Sequence, residues 1–210
     1  MPSSRPAVGL ISALFCLAPY EAIAADAGCL PETVRALQAD AVNGDSNAQL
    51  LLGDKFASGC GVEADPGEAI KWYRKAGDGG DVRAEINLGW AYLLGKGVAK
   101  DDGAAFEWFH KAAEQGNAIA EGLLGSLYAE GRGVERNDVE AVAWLRKSAE
   151  AGEPNAQLGL ARMLGLGRGV AKNDDEAMRW LRKSAAQGNV QAKRVLEGFE
   201  SRKRAGDGQP

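Results

Sequence analysis

Histidine occurs once in this 210-residue chain, at His110. A lone imidazole can act as a general base, and any Ser-His-Asp arrangement here would have to be built on it. Yet the residues 36 positions to either side are Arg74 and Arg146, and the next step reaches Arg182. His110 therefore reads as a surface substitution in a basic column. The cysteines are Cys16, Cys29 and Cys60. One histidine and the last two cysteines fall short of the four ligands of a structural zinc site, so neither metal nor cofactor is expected. Ser-x-x-Lys, Gly-x-Ser-x-Gly, His-Glu-x-x-His and the phosphate loop do not occur. Carboxylates are plentiful, but most stand at helix starts, where capping accounts for them. Gly-x-Gly triplets hint at phosphate binding, but the dinucleotide motif needs a preceding strand.

Those triplets expose the organisation of the chain. Gly59-Cys60-Gly61-Val62, Gly95-Lys96-Gly97-Val98, Gly131-Arg132-Gly133-Val134 and Gly167-Arg168-Gly169-Val170 recur every 36 residues, as do Trp72, Trp108, Trp144 and Trp180. Such a period predicts stacked helical hairpins, each burying its core against its neighbours. In each unit Asp45, Asp81, Asn117, Glu153 or Asn189 stands at the N-cap of a first helix, Glu153 being the poor cap. Spacing of four then places Ala48, Leu52 and Phe56, or Ala84, Leu88 and Tyr92, on one buried stripe. Gly53, Gly89 and Gly125 after the leucine predict close approach by the partner helix, with Ala161 as the departure. The second helix is capped by Asp65, Asp101, Asn137 or Asn173, with Glu68, Glu140 and Glu176 set to complete capping boxes. Its inward face is expected to carry Ala69, Trp72, Tyr73 and Ala76, or Ala105, Trp108, Phe109 and Ala112. Its outward face carries the basic column, read as solvated because no aromatics interleave with the bases.

Residues 1–24 lie outside the repeat and read as a cleaved export signal. Arg5 precedes an apolar run over 7–18, and Ala22-Ile23-Ala24 suits signal peptidase, with cleavage after Ala24 or Ala25. A retained anchor is the alternative, but the run is about half the ~20 residues a spanning helix needs. Residues 25–43 form an N-terminal capping helix, 44–200 the repeat array with a C-terminal half repeat, and 201–210 a disordered tail. The expected location is periplasmic or secreted, with no membrane span after cleavage. In such a compartment Cys29 and Cys60 are expected to bridge, two buried thiols being the alternative. A net charge of −4 argues against nucleic acid as partner.

Leu88-Gly89, Gly95-Lys96-Gly97-Val98, Asp101, Ala105, Trp108-Phe109, Lys111-Ala112-Ala113 and Gln115-Gly116-Asn117 resemble the Sel-one-like repeat, a relative of the tetratricopeptide repeat. The resemblance covers about 45–200. It implies an all-α fold, a right-handed α/α superhelical solenoid of 36-residue helix-turn-helix repeats, with the first helix of each repeat lining the concave side. It also implies an adaptor or regulator that holds a protein or peptide partner in the bacterial envelope, while the capping helices at both ends of the array suit a monomer. A cysteine-rich branch of the family is labelled β-lactamase-like. Weak β-lactamase-like or cell-wall hydrolase activity is therefore the alternative function, although this chain lacks that branch's cysteine pair in nearly every repeat.

Where repeats agree, packing dictates the residue; where they disagree, a partner can. One first-helix column reads Asp54, Trp90, Ser126 and Arg162. Neighbouring columns read Leu50, Ile86, Gly122, Leu158 and Leu51, Asn87, Leu123, Gly159. Trp and Arg are enriched at binding hot spots, so Trp90, Asn87, Ser126, Arg162 and Asp54 are the expected partner-binding residues.

Overall fold

The structure, a computed structural model, describes residues 29–207. The export signal expected over 1–24 lies outside these residues, as do the last residues of the tail. The described chain is helical: α1 Pro31–Val42, α2 Ser46–Ser58, α3 Pro66–Asp78, α4 Val82–Leu94, α5 Asp102–Glu114, α6 Ala118–Glu130, α7 Asp138–Glu150, α8 Pro154–Leu166, α9 Asp174–Ala186 and α10 Val190–Asp207. It divides into two compact units, an N-terminal one ending at Gly116 (α1–α5) and a C-terminal one beginning at Asn117 (α6–α10). Within each unit every helix packs on the next in the chain. The last helix continues through 201–207, where a disordered tail was expected. Ser201-Arg202-Lys203-Arg204-Ala205 holds no helix breaker before Gly206.

Each hairpin begins with a satisfied N-cap. Asp45 accepts from the Ala48 amide at 2.6 Å, Asn117 from Ala120 at 3.1 Å, and Asn189 from Ala192 at 3.0 Å. Glu153, expected to cap poorly, also caps: its Oε2 accepts from the Ala156 amide at 2.6 Å. Pro154 sets the first turn, which lets the longer side chain fold back. The expected capping boxes of the second helices form only by halves. Asp65 accepts from the Glu68 amide, but the Asp65 amide donates to the Phe56 carbonyl at 2.9 Å rather than to the Glu68 side chain. Asn137 and Asn173 repeat this toward Tyr128 and Leu164. The end of the preceding helix has taken the donor, and Glu68 turns to Lys71 instead, at 2.7 Å.

The buried stripe runs as its spacing predicts: Leu52, Leu88, Leu124 and Leu160 are wholly enclosed. Each contributes up to about 3 kcal/mol of apolar burial. The helix glycines are where the paired helix comes closest. A Cβ at Gly53 would lie 2.5 Å from the Tyr73 ring, and one at Gly89 would lie 2.5 Å from Phe109. At Gly125 it would meet Leu145 at 2.8 Å. The second glycine of the turn motif has a separate task. Gly97 combines φ 73° with a backbone approach so close that a Cβ would sit 2.1 Å from the Pro66 carbonyl oxygen. No other residue fits, because both the left-handed conformation and the contact exclude a side chain.

The tryptophans depart from expectation. Trp72 is buried, but Trp108, Trp144 and Trp180 are only half-buried. The enclosed position is the next one along, held by Tyr73, Phe109, Leu145 and Leu181. A second recurrent feature escaped the sequence reading: Gln49, Glu85, Glu121 and Gln157 are buried at equivalent positions. Gln49 donates to the Ala41 carbonyl at 3.0 Å, and Gln157 to that of Ala149 at 3.2 Å. Glu85 accepts from Gln115 at 2.8 Å, and Glu121 pairs with Lys147 at 2.6 Å. Burial raises the Glu85 carboxyl above its ordinary value, against the pull of Lys111 and Gln115.

Cys29 and Cys60 are joined by a disulfide, their Cα atoms 4.7 Å apart. It ties the start of α1 to the turn after α2.

Candidate functional site

The outer face of the second helices is occupied by the chain's own contacts. Lys75, Lys111, Lys147 and Lys183 lie over the rings of Trp72, Trp108, Trp144 and Trp180, with Nζ 3.8, 4.1, 5.2 and 4.3 Å from the ring centroids. These are cation–π contacts at helical spacing. The expectation that no aromatics accompany the bases is therefore corrected. The Trp-x-x-Lys repeat was the signal, since residues three apart share a helix face. Arg146 pairs with Glu176 at 2.6 Å, and Arg74 donates to the Tyr92 hydroxyl. His110 is half-buried beside Phe106, with Nδ1 3.6 Å from Glu114.

The neighbouring columns expected to line a groove are largely core. Leu50, Leu158 and Leu123 are buried, and Gly122 packs against Ser148 and Ala156. What stays accessible is the column of Asp54, Trp90, Ser126 and Arg162, with Asn87 beside it.

In the N-terminal unit this column is knitted together. The Tyr73 hydroxyl donates to Asp54 Oδ1 at 2.7 Å, and Asn87 Nδ2 reaches the same oxygen from α4 at 3.4 Å. Asp54 is open on its outer side. Desolvation of its inner oxygen raises the carboxyl above its ordinary value, opposed first by the Tyr73 hydrogen bond and then by Arg83 and Lys55. Burial, then the Asp54 charge, push the Tyr73 hydroxyl far above the usual phenol range. Trp90, one turn beyond Asn87, is half-buried and rests edge-on against the enclosed Phe109, with ring centroids 5.6 Å apart. The structure thus brings Asp54 and Asn87 together, with Trp90 half packed and half presented.

In the C-terminal unit the column is open. Ser126 on α6 and Arg162 on α8 line one cleft of about 110 Å³. Leu145, Met163 and Ala129 form its buried floor. Ser126 donates back to the Gly122 carbonyl at 3.0 Å. Arg168 closes one end, held by Asp138 at 2.7 Å and by the Ala129 carbonyl at 3.0 Å. Asp138 also takes Arg136 at 2.9 Å, and these two guanidinium groups hold its carboxyl well below the ordinary range. Arg162 is half-buried and has no acidic partner among the described residues. Burial alone lowers its pKa.

This geometry is that of a tandem-repeat scaffold, and comparison with known proteins agrees. The Sel1 repeat matches residues 46–81, 82–117, 118–153 and 154–189, so the chain belongs to the Sel1 repeat family. Repeats of this family generally serve as protein-interaction modules and are generally non-catalytic. The chain is similar to a solved Sel1 repeat protein from Oxalobacter formigenes, with 33% identity over 80% of this chain and 67% of that one, and a TM-score of 0.75. It is also similar to a protective antigen of uropathogenic Escherichia coli displaying the same repeat fold, with 40% identity over 77% of this chain and a TM-score of 0.74. It spans only 35% of that antigen's length. Helicobacter pylori cysteine-rich protein B shares the fold at 23% identity, a TM-score of 0.50, and coverage of 63% of this chain and 95% of that one. No curated protein matches the chain significantly.

Proposed function

We propose that this chain is a non-catalytic adaptor or regulator of the bacterial envelope, which holds a protein or peptide partner along the accessible column of its first helices. One observation carries the reading. The lysines of the basic column, with Arg74 and Arg146, are engaged by the chain's own groups, whereas Asp54, Trp90, Ser126 and Arg162 differ in every repeat and remain partly accessible. Structural demand makes repeats agree, so a position that differs and stays open is available for recognition. Trp90 beside Asn87, and Arg162 beside Ser126, have the residue types that dominate interface energetics. Export is supported by the apolar run over 7–18 and by the Cys29–Cys60 bridge, which suits an oxidising compartment.

The test is capture of a partner from a bacterial envelope extract, run beside thermal melting. Trp90→Ala should weaken capture by about 2 kcal/mol or more while the fold persists. Should Trp90→Ala melt early while Asn87, Ser126 and Arg162 can all be replaced without weakening capture, Trp90 is a packing residue and the reading fails.

A further inference from the structure

We propose that the cleft between α6 and α8 binds a carboxylate adjoining an aliphatic side chain, as an acidic peptide segment or a peptide C-terminus would present it. The inference rests on the reading above and names the ligand chemistry of its C-terminal half.

The charge arrangement points to an anion. Two arginines line the cleft, and their situations differ. Arg168 is held by Asp138, which is also claimed by Arg136, so the local carboxylate is already engaged. Arg162 lacks an acidic partner among the described residues, and its guanidinium is partly desolvated. A charge withdrawn from water without a counter-charge is unfavourable, and an incoming carboxylate relieves it through paired N–H···O bonds. A bound carboxylate would restore the charge balance that burial disturbs at Arg162.

The floor points to the neighbouring group. Leu145, Met163 and Ala129 are buried beneath the opening, and the space above them suits one aliphatic side chain. Ser126 spends its hydroxyl proton on the Gly122 carbonyl, which leaves its lone pairs to accept a peptide N–H. An apolar floor with a few convergent polar groups is the usual form of a small recognition site.

The experiment titrates the isotope-labelled protein with small probes, followed by NMR at the amides of α6 and α8 and at the Arg162 side chain. N-acetyl-leucine presents a terminal carboxylate, N-acetyl-Leu-Glu-amide a side-chain carboxylate, and N-acetyl-leucinamide the aliphatic group alone. One or both carboxylate probes should saturate about tenfold more tightly than the amide, the factor expected of a charge-assisted pair. The better of the two identifies the source of the carboxylate. Arg162→Gln should abolish that preference and Arg162→Lys should keep part of it. Equal binding of N-acetyl-leucinamide, or no saturable shift at these helices with either carboxylate, overturns the proposal. The wild-type comparison stands even if the Arg162 variants fold poorly. Failure here with Trp90→Ala still losing its partner would leave the proposed function intact and remove only this cleft from it.

Discussion

Asp54, Tyr73, Asn87 and Trp90 occupy repeat positions that return two repeats later as Ser126, Leu145, Gly159 and Arg162. In the N-terminal unit three of the four positions close on one another, and Trp90 stays half presented. A tyrosine hydroxyl and an asparagine amide converge on one carboxylate oxygen, and the tryptophan leans on an enclosed phenylalanine. In the C-terminal unit Leu145 offers no hydroxyl and Gly159 no side chain, so a cleft is left between Ser126 and Arg162. The backbone provides the same place twice. Side chains decide whether it is filled internally or left open.

The largest expected effects concern the scaffold beneath that contrast. Phe109 is fully enclosed and carries Trp90, whereas Trp108 is half-exposed against the Gly77 backbone. Phe109→Ala should cost about 3–5 kcal/mol in urea unfolding, and Trp108→Ala clearly less, because less of the removed surface was buried. Equal losses would mean that the tryptophan, not its successor, anchors the repeat. Reducing the Cys29–Cys60 bridge should come next. Its sequence separation of 31 corresponds to about 3–4 kcal/mol on the chain-entropy account. Reductant should therefore lower the melting temperature of the N-terminal unit first. An unchanged melt, with two free thiols found in the untreated protein, would dispose of the bridge.

The architecture was legible in the sequence because each requirement recurs: the caps, the Ala-x-x-x-Leu stripe, the close-packed Gly89 and the turn glycines are each seen several times in register. Recurrence fixes which residues matter without fixing what they touch. Trp108 repeats as faithfully as Phe109 varies, yet Phe109 is the enclosed one. Stringency at the tryptophan column accompanies its Lys111 cation–π contact, while the enclosed slot accepts Tyr, Phe or Leu because its opposing position is Gly or Ala. The capping boxes were misread because local spacing does not reveal that Phe56 or Tyr128 claims the donor first. The site itself was half legible. Variation picked out Asp54, Trp90, Ser126 and Arg162, but it also drew in Leu50, Leu123 and Leu158, which are buried in the core. Nothing in the sequence separates those cases, because both leave a column that fails to repeat.

The smallest effect expected is also the sharpest test of the contrast, because the two units hold carboxylates perturbed in opposite directions. Asp138 is depressed below its ordinary 3.8 by Arg168 and Arg136. Its contribution is therefore present above that value and is lost as pH falls through the folded-state pKa. Asp138→Asn should cost about 1 kcal/mol at neutral pH, and the gap from wild type should close in acid. Asp54 is raised above 3.8, chiefly by desolvation. Its contribution is present in full below 3.8 and is lost as pH climbs through the higher folded value. Asp54→Asn keeps an acceptor for the Tyr73 hydroxyl and removes the charge, so it should gain on wild type as pH rises from 3.8 through the raised folded-state value. Solvent at the outer side of Asp54 keeps that gain below about 1 kcal/mol. Urea midpoints for both variants at acid and neutral pH should diverge from wild type in opposite senses. Profiles that run parallel would mean that the Asp54 cluster is as open to water as the cleft, and the distinction between a closed and an open half would fall.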